Sequence, residues 1–215
     1  MEQKRRWIHE PFNGISHFAG AVLSIAALVV LILRAHGRPI YLVSFCIYAA
    51  SLIGLYTAST LYHSLPVRLE VRKLLRRFDF IGIYLLIAGT YTPICLLPMR
   101  HALGPRLLIV EYLIAGVGIA TVLRRRAGPH WINVALFLLM GWLAAPAMPS
   151  MLHALTRAEV GWIVGGGIAY TVGAVVYATQ WPRLWPGKFG SHDLWHIFVL
   201  GGSACHFVCM LLISA

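Results

Sequence analysis

Residues 15–33 read ISHFAGAVLSIAALVVLIL, nineteen positions without one lysine, arginine, aspartate or glutamate. A helix of about twenty apolar residues, rising about 1.5 Å per residue, crosses the roughly 30 Å hydrocarbon core of a bilayer. The stretch is therefore predicted to span a membrane. Six more of the same kind follow, at 40–62, 80–97, 107–123, 131–150, 160–179 and 194–214. The connections are short and rich in turn residues, as in His36-Gly37-Arg38-Pro39. An all-α integral membrane fold is expected: a single seven-transmembrane helix bundle over residues 1–215, its first 1–14 forming a short cytoplasmic segment.

Composition agrees. Hydrophobic residues make up 59% of the chain and charged residues 12%, about half the charge a water-facing domain carries. That excludes a soluble protein. The opening residues lack the apolar core and small-residue cleavage pattern of a signal peptide, so the first span is expected to act as an uncleaved signal. The net charge of +11 does not indicate a nucleic-acid partner. The basic residues sit in short loops between apolar spans, where they set orientation and attract anionic lipid headgroups. Cys46, Cys95, Cys205 and Cys209 all fall in apolar stretches, which points to buried thiols and not to disulfides.

With a cytoplasmic N-terminus, the inner segments hold thirteen Lys and Arg: Lys4, Arg5, Arg6, Arg68, Arg72, Lys73, Arg76, Arg77, Arg124, Arg125, Arg126, Arg183 and Lys188. The outer loops hold five: Arg34, Arg38, Arg100, Arg106 and Arg157. The positive-inside rule then puts the N-terminus inside and the C-terminus outside. This topology collects the end of the second span, the start of the third and the start of the seventh at the cytoplasmic boundary. Ser59 and His63, Asp79, and His192 and His196 lie at those three places.

His192 and His196 are four apart, so a helix presents both imidazoles on one face, a spacing that can offer two nitrogens to one Zn2+. His63 is a candidate third ligand, with Ser59 on its face as a donor to water or substrate. Asp79 has two readings: a cap paired with Arg76 or Arg77, or a general base for water activated by the metal, held through that water or bound directly as a fourth ligand. A catalytic zinc takes three protein ligands and keeps a fourth position open. Polar residues within membranes are costly and tend to mark function.

Glu10, Asn13 and His17 share one face at the start of the first span. They can orient a ligand histidine or form an interhelical hydrogen-bond network, the expected role. His206 lies fourteen residues beyond His192, about 21 Å along a helix, too deep for the same ion. Glu111 is open between pairing with Arg106 and lining the bundle. Trp7, Trp131, Trp162, Trp181 and Trp185 fall near span ends, as an interfacial belt does. The glycines between 161 and 173 are expected to allow close helix packing, and Pro93 to bend the third span.

The segment Glu10-Pro11-Phe12-Asn13-Gly14-Ile15-Ser16-His17, together with Ser59-Thr60-Leu61-Tyr62-His63, residues 78–93, residues 186–196 and His206, resembles the bacterial haemolysin III branch of the progestin and adipoQ receptor family, which includes the adiponectin receptors. The resemblance implies an N-inside seven-helix bundle in a bacterial inner (cell) membrane, with zinc near its cytoplasmic face. His63, His192 and His196 match the family's zinc histidines, Asp79 its aspartate near the metal-bound water, and Ser59 its serine. The wider superfamily includes alkaline ceramidases. The expected function is a zinc-dependent hydrolase of a membrane-lipid amide or ester. The alternative is a non-enzymatic membrane sensor with structural zinc, or a haemolysin III-type protein with a cytolytic phenotype.

Overall fold

A computed structural model describes residues 10–124, 130–185 and 189–215. Lys4, Arg5, Arg6, Trp7, Arg125, Arg126 and Lys188, which enter the charge count and the tryptophan belt above, lie outside the described residues. The described chain folds into α1 (Pro11–Arg34), α2 (Pro39–Ser64), α3 (Leu69–Leu96), α4 (Gly104–Arg124), α5 (His130–Trp142), α6 (Met148–Ala154), α7 (Arg157–Thr179) and α8 (Ser191–Ile213). Six of these are long and apolar enough to cross a membrane, and Trp131–Trp142 is a shorter apolar helix. The protein is a helical integral membrane bundle.

Prolines set several helix starts. Pro11 and Pro39 sit in the first turns of α1 and α2, where a missing N–H costs nothing. Pro149 sits likewise in the first turn of α6. Pro146, in the turn before it, removes a helical donor and crowds the preceding turn, so residues 131–150 form α5, a turn and α6 in place of one continuous helix. At thirteen residues, α5 is about 20 Å long.

The third predicted span also changes. Helix α3 begins at Leu69, well ahead of the apolar stretch, and carries a basic first half with Lys73 Nζ 2.8 Å from Glu70 Oε1. Asp79 is therefore inside α3 and not its cap. At the other end α3 continues through Pro93 to Leu96.

Helix α2 packs between α1 and α3, α7 pairs with α8, and α1 closes on α8. Phe45, Tyr48, Leu55 and Tyr56 of α2 are fully buried in the resulting core. Inside it the Tyr56 hydroxyl donates to Ser203 Oγ at 2.7 Å, and Tyr170 Oη lies 2.8 Å from the same oxygen. Those bonds tie α2, α7 and α8 together inside the bundle. Cys46, Cys95, Cys205 and Cys209 are free thiols. Trp131, Trp162, Trp181 and Trp185 are exposed, as an interfacial belt requires.

Of the glycines between 161 and 173, Gly166 does what was expected: a Cβ there would overlap the His206 ring of α8. Gly167 instead lines the central cavity. On α4, a Cβ at Gly118 would overlap the Tyr84 ring, which is held by its hydroxyl on Asn133 Oδ1 at 2.9 Å. Gly118→Ala is expected to cost about 1–3 kcal/mol through overpacking. Gly116→Ala, with nothing within 4 Å of the new Cβ, is expected to be neutral or mildly stabilising. Thermal melts of the two variants in detergent check the contrast.

Candidate metal centre

His63 closes the last turn of α2, and His192 and His196 occupy the first two turns of α8. Helix α8 starts where it does because the Asp193 carboxylate accepts the Gly190 N–H at 2.7 Å, a cap that fixes both histidines on its opening face. His63 and His196 are buried and His192 is half-buried. One side-chain nitrogen from each can be chosen so that all three lie within 4.8 Å of one another.

The tautomer of His63 follows from its neighbour. Glu10 Oε2 lies 2.6 Å from His63 Nδ1. A carboxylate only accepts, so Nδ1 carries a hydrogen, and in the neutral ring Nε2 then presents the lone pair. The hydrogen bond with His63 holds the Glu10 carboxyl well below its ordinary range, at about 2, against the opposing effect of burial. Glu10 is therefore ionised at neutral pH.

His63 Nε2 and His196 Nδ1 are both buried without a hydrogen-bond partner. An orphaned buried acceptor costs about 1–3 kcal/mol. A cation satisfies such lone pairs, and imidazole is the commonest protein ligand for one. The donor set therefore fits a metal: His63, His192 and His196 can hold one ion among them. Among the described residues these three alone form such a group.

His17 of α1 packs its ring against His196, with centroids 3.8 Å apart, and against Tyr56 at 4.9 Å. Both of its ring nitrogens lack partners. The interhelical hydrogen bond expected of this face is made between Glu10 and His63 of α2; Asn13 Nδ2 donates within the face, to Glu10 Oε2 at 3.0 Å, and His17 makes none. The periodicity of Glu10, Asn13 and His17 signalled a shared face, but the partner of that face lay 53 residues away.

Ser59 is buried one turn before His63, beside Asp79 of α3. Both line a cavity of about 400 Å³, as do His192 and His196. The cavity continues past Tyr91 and Tyr170 to Met99 and Met151 at the far end of the bundle. Its span from Asp79 to the end of α3 is about 25 Å, and its walls are mostly apolar. Thr90, Tyr91 and Ile94, flanking Pro93, form part of them.

His206 stands apart from the histidine group. Its Nε2 lies 3.3 Å from the Ile163 carbonyl, on the cavity wall. Glu111 is fully buried, and neither carboxyl oxygen has a hydrogen-bond partner. It does not pair with Arg106.

Fold and centre together define the class: a polytopic helical membrane protein whose bundle gathers three histidines, able to hold a metal ion, at one end of a long apolar cavity. The family is narrower. Residues 5–207 match the haemolysin-III related family, and the chain belongs to it. It is 39% identical to "Hemolysin-3" of Bacillus cereus over 201 residues, 93% of this chain and 89% of that protein. The corresponding figures for the "Hemolysin-3 homolog" of Bacillus subtilis (strain 168) are 38% over 201 residues, 93% and 91%. Similarity reaches the "Adiponectin receptor protein" of Drosophila melanogaster, 25% identical over 164 residues, which cover 68% of this chain and 37% of that one.

Proposed function

We propose that this protein is a zinc-dependent hydrolase acting on an amide or ester of a membrane lipid. The observation that carries the proposal is the cavity: long and mostly apolar, it has His192, His196, Asp79 and Ser59 in its lining at one end. Its shape and lining suit a hydrocarbon chain whose polar linkage rests at the histidines. Imidazole nitrogens suit zinc, and three protein ligands leave a position free, as in catalytic zinc sites.

When bound, zinc supplies Lewis-acid polarisation of water and of a carbonyl. Asp79, lining the cavity beside the cluster, takes a proton from the attacking water as its oxygen bonds to the carbonyl carbon. It passes that proton to the leaving amine or alkoxide when the C–N or C–O bond breaks. Ser59, beside Asp79, donates a hydrogen bond to the charge that develops on the carbonyl oxygen.

The histidine end faces the cytoplasm of the bacterial cell membrane in this reading, supported by the excess of Lys and Arg on that side. Arg68, Arg72, Lys73, Arg76 and Arg77 at the start of α3 draw anionic headgroups to the site. The test is a panel of lipid amides and esters given to purified zinc-loaded protein, with products read by mass spectrometry. Cleavage lost on chelation is expected. A membrane-impermeant chelator should inhibit inverted vesicles and spare intact cells. Failure to cleave any panel member at stoichiometric zinc would sink the hydrolase, and inhibition of intact cells would overturn the orientation.

A further inference from the structure

The carboxylate of Glu10 has its own helix to cap and does not do so. Glu10 is the N-cap residue of α1, yet its side chain makes no capping hydrogen bond to that helix. It turns to His63, 2.6 Å from Nδ1. The main chain makes the same connection, because the Glu10 N–H donates to the His63 carbonyl at 2.9 Å. Two bonds, one through each part of the residue, thus join the start of α1 to the last turn of α2.

The carboxylate is itself held. Asn13 Nδ2 donates to Oε2 at 3.0 Å, and Arg72 Nη2 approaches Oε1 at 3.5 Å. On the remaining side Oε2 lies 3.8 Å from His192 Nδ1. One carboxylate oxygen therefore faces two of the three histidines, which come from helices remote in sequence.

We propose that Glu10 is a positioning residue for the metal centre. It keeps His63 in the tautomer that directs Nε2 at the ion, and its charge makes both neighbouring imidazoles better donors. The inference rests on the reading of His63, His192 and His196 as metal ligands. Partners of this kind, one shell out from the ion, typically change metal affinity 10–100-fold when removed. Sequence spacing alone left Glu10 open between this role and a plain interhelical bond. The approach of one carboxylate oxygen to both His63 and His192 favours the former.

The test uses the full chain purified in detergent, with Zn2+ affinity measured by competition against a chromophoric chelator. Cobalt(II) absorption serves as a second readout of the ligand set. Glu10→Ala, which removes both the acceptor and the charge, is expected to weaken Zn2+ by about 10–100-fold and to alter the cobalt spectrum. Glu10→Gln keeps an acceptor for Nδ1–H and should fall between Glu10→Ala and wild type. If Glu10 serves only to pin α1 against α2, both variants lower the melting temperature of the metal-free protein and leave Zn2+ affinity and the cobalt spectrum unchanged. That result overturns the inference while leaving the metal centre standing. Should Glu10→Ala not fold, an unchanged affinity in Glu10→Gln together with an unchanged cobalt spectrum overturns it equally. Wild type that binds neither ion would instead remove the centre on which the inference rests.

Discussion

Wild type is expected to purify with about one metal ion per chain, and His63→Ala and His196→Ala without it. Three imidazoles form the donor set, so each substitution leaves two, too few to hold an ion securely. The loss should exceed the roughly 100-fold upper range for removing an outer partner, because a direct bond disappears. His63→Ala should be the more damaging of the two. It also removes the shortest contact of the half-buried Glu10 carboxylate, a charged group left with one donor fewer. His206→Ala is the control. It lies ten residues beyond His196, about 15 Å along α8, and its Nε2 is engaged with the Ile163 carbonyl. That variant should keep the metal. Elemental analysis of the four proteins, purified without chelators, makes the measurement. Equal metal content in all of them would remove the centre.

Asp79→Ala is expected to keep the metal and lose turnover by about 10²–10⁴-fold, the range a positioned acid–base group supplies. Asp79 is not among the three residues that form the ligand group, so affinity for the ion should change little. It lines the cavity where that group opens into it, so proton transfer should suffer. Asp79→Asn should behave similarly, since an amide keeps the shape and cannot accept the proton. Ser59→Ala should reduce turnover less. If the protein were a sensor whose zinc only ties α2 to α8, Asp79→Ala would retain both the metal and the cellular phenotype. Metal content measured beside lipid hydrolysis therefore separates the two functions.

Much of the fold was legible before any coordinates because the bilayer imposes a length and a composition on every span. Six stretches met both as helices. The fifth kept its place but not its continuity, because an apolar run counts proline like any other small residue, whereas Pro146 breaks the hydrogen-bond ladder and Pro149 opens a new helix. Asp79 looked like a helix start because hydropathy ends near residue 80, whereas helix geometry continues back through charged residues to Leu69. Apolarity marks the part of a helix that lies in lipid, not the whole helix.

The sequence by itself determined that the chain is a helical membrane protein, which histidines were metal-competent, and that His192 and His196 share a face. Those properties depend on local composition and on the period of one helix. Only the tertiary structure decided that Glu10 serves His63, that His17 packs against His196 with its nitrogens unpartnered, and that Glu111 is buried without Arg106. Each depends on which helices become neighbours, and that is settled by packing between residues far apart in the chain. The same packing runs the cavity from Asp79 to Met99, giving the histidine pair of α8 a chamber as well as a third histidine.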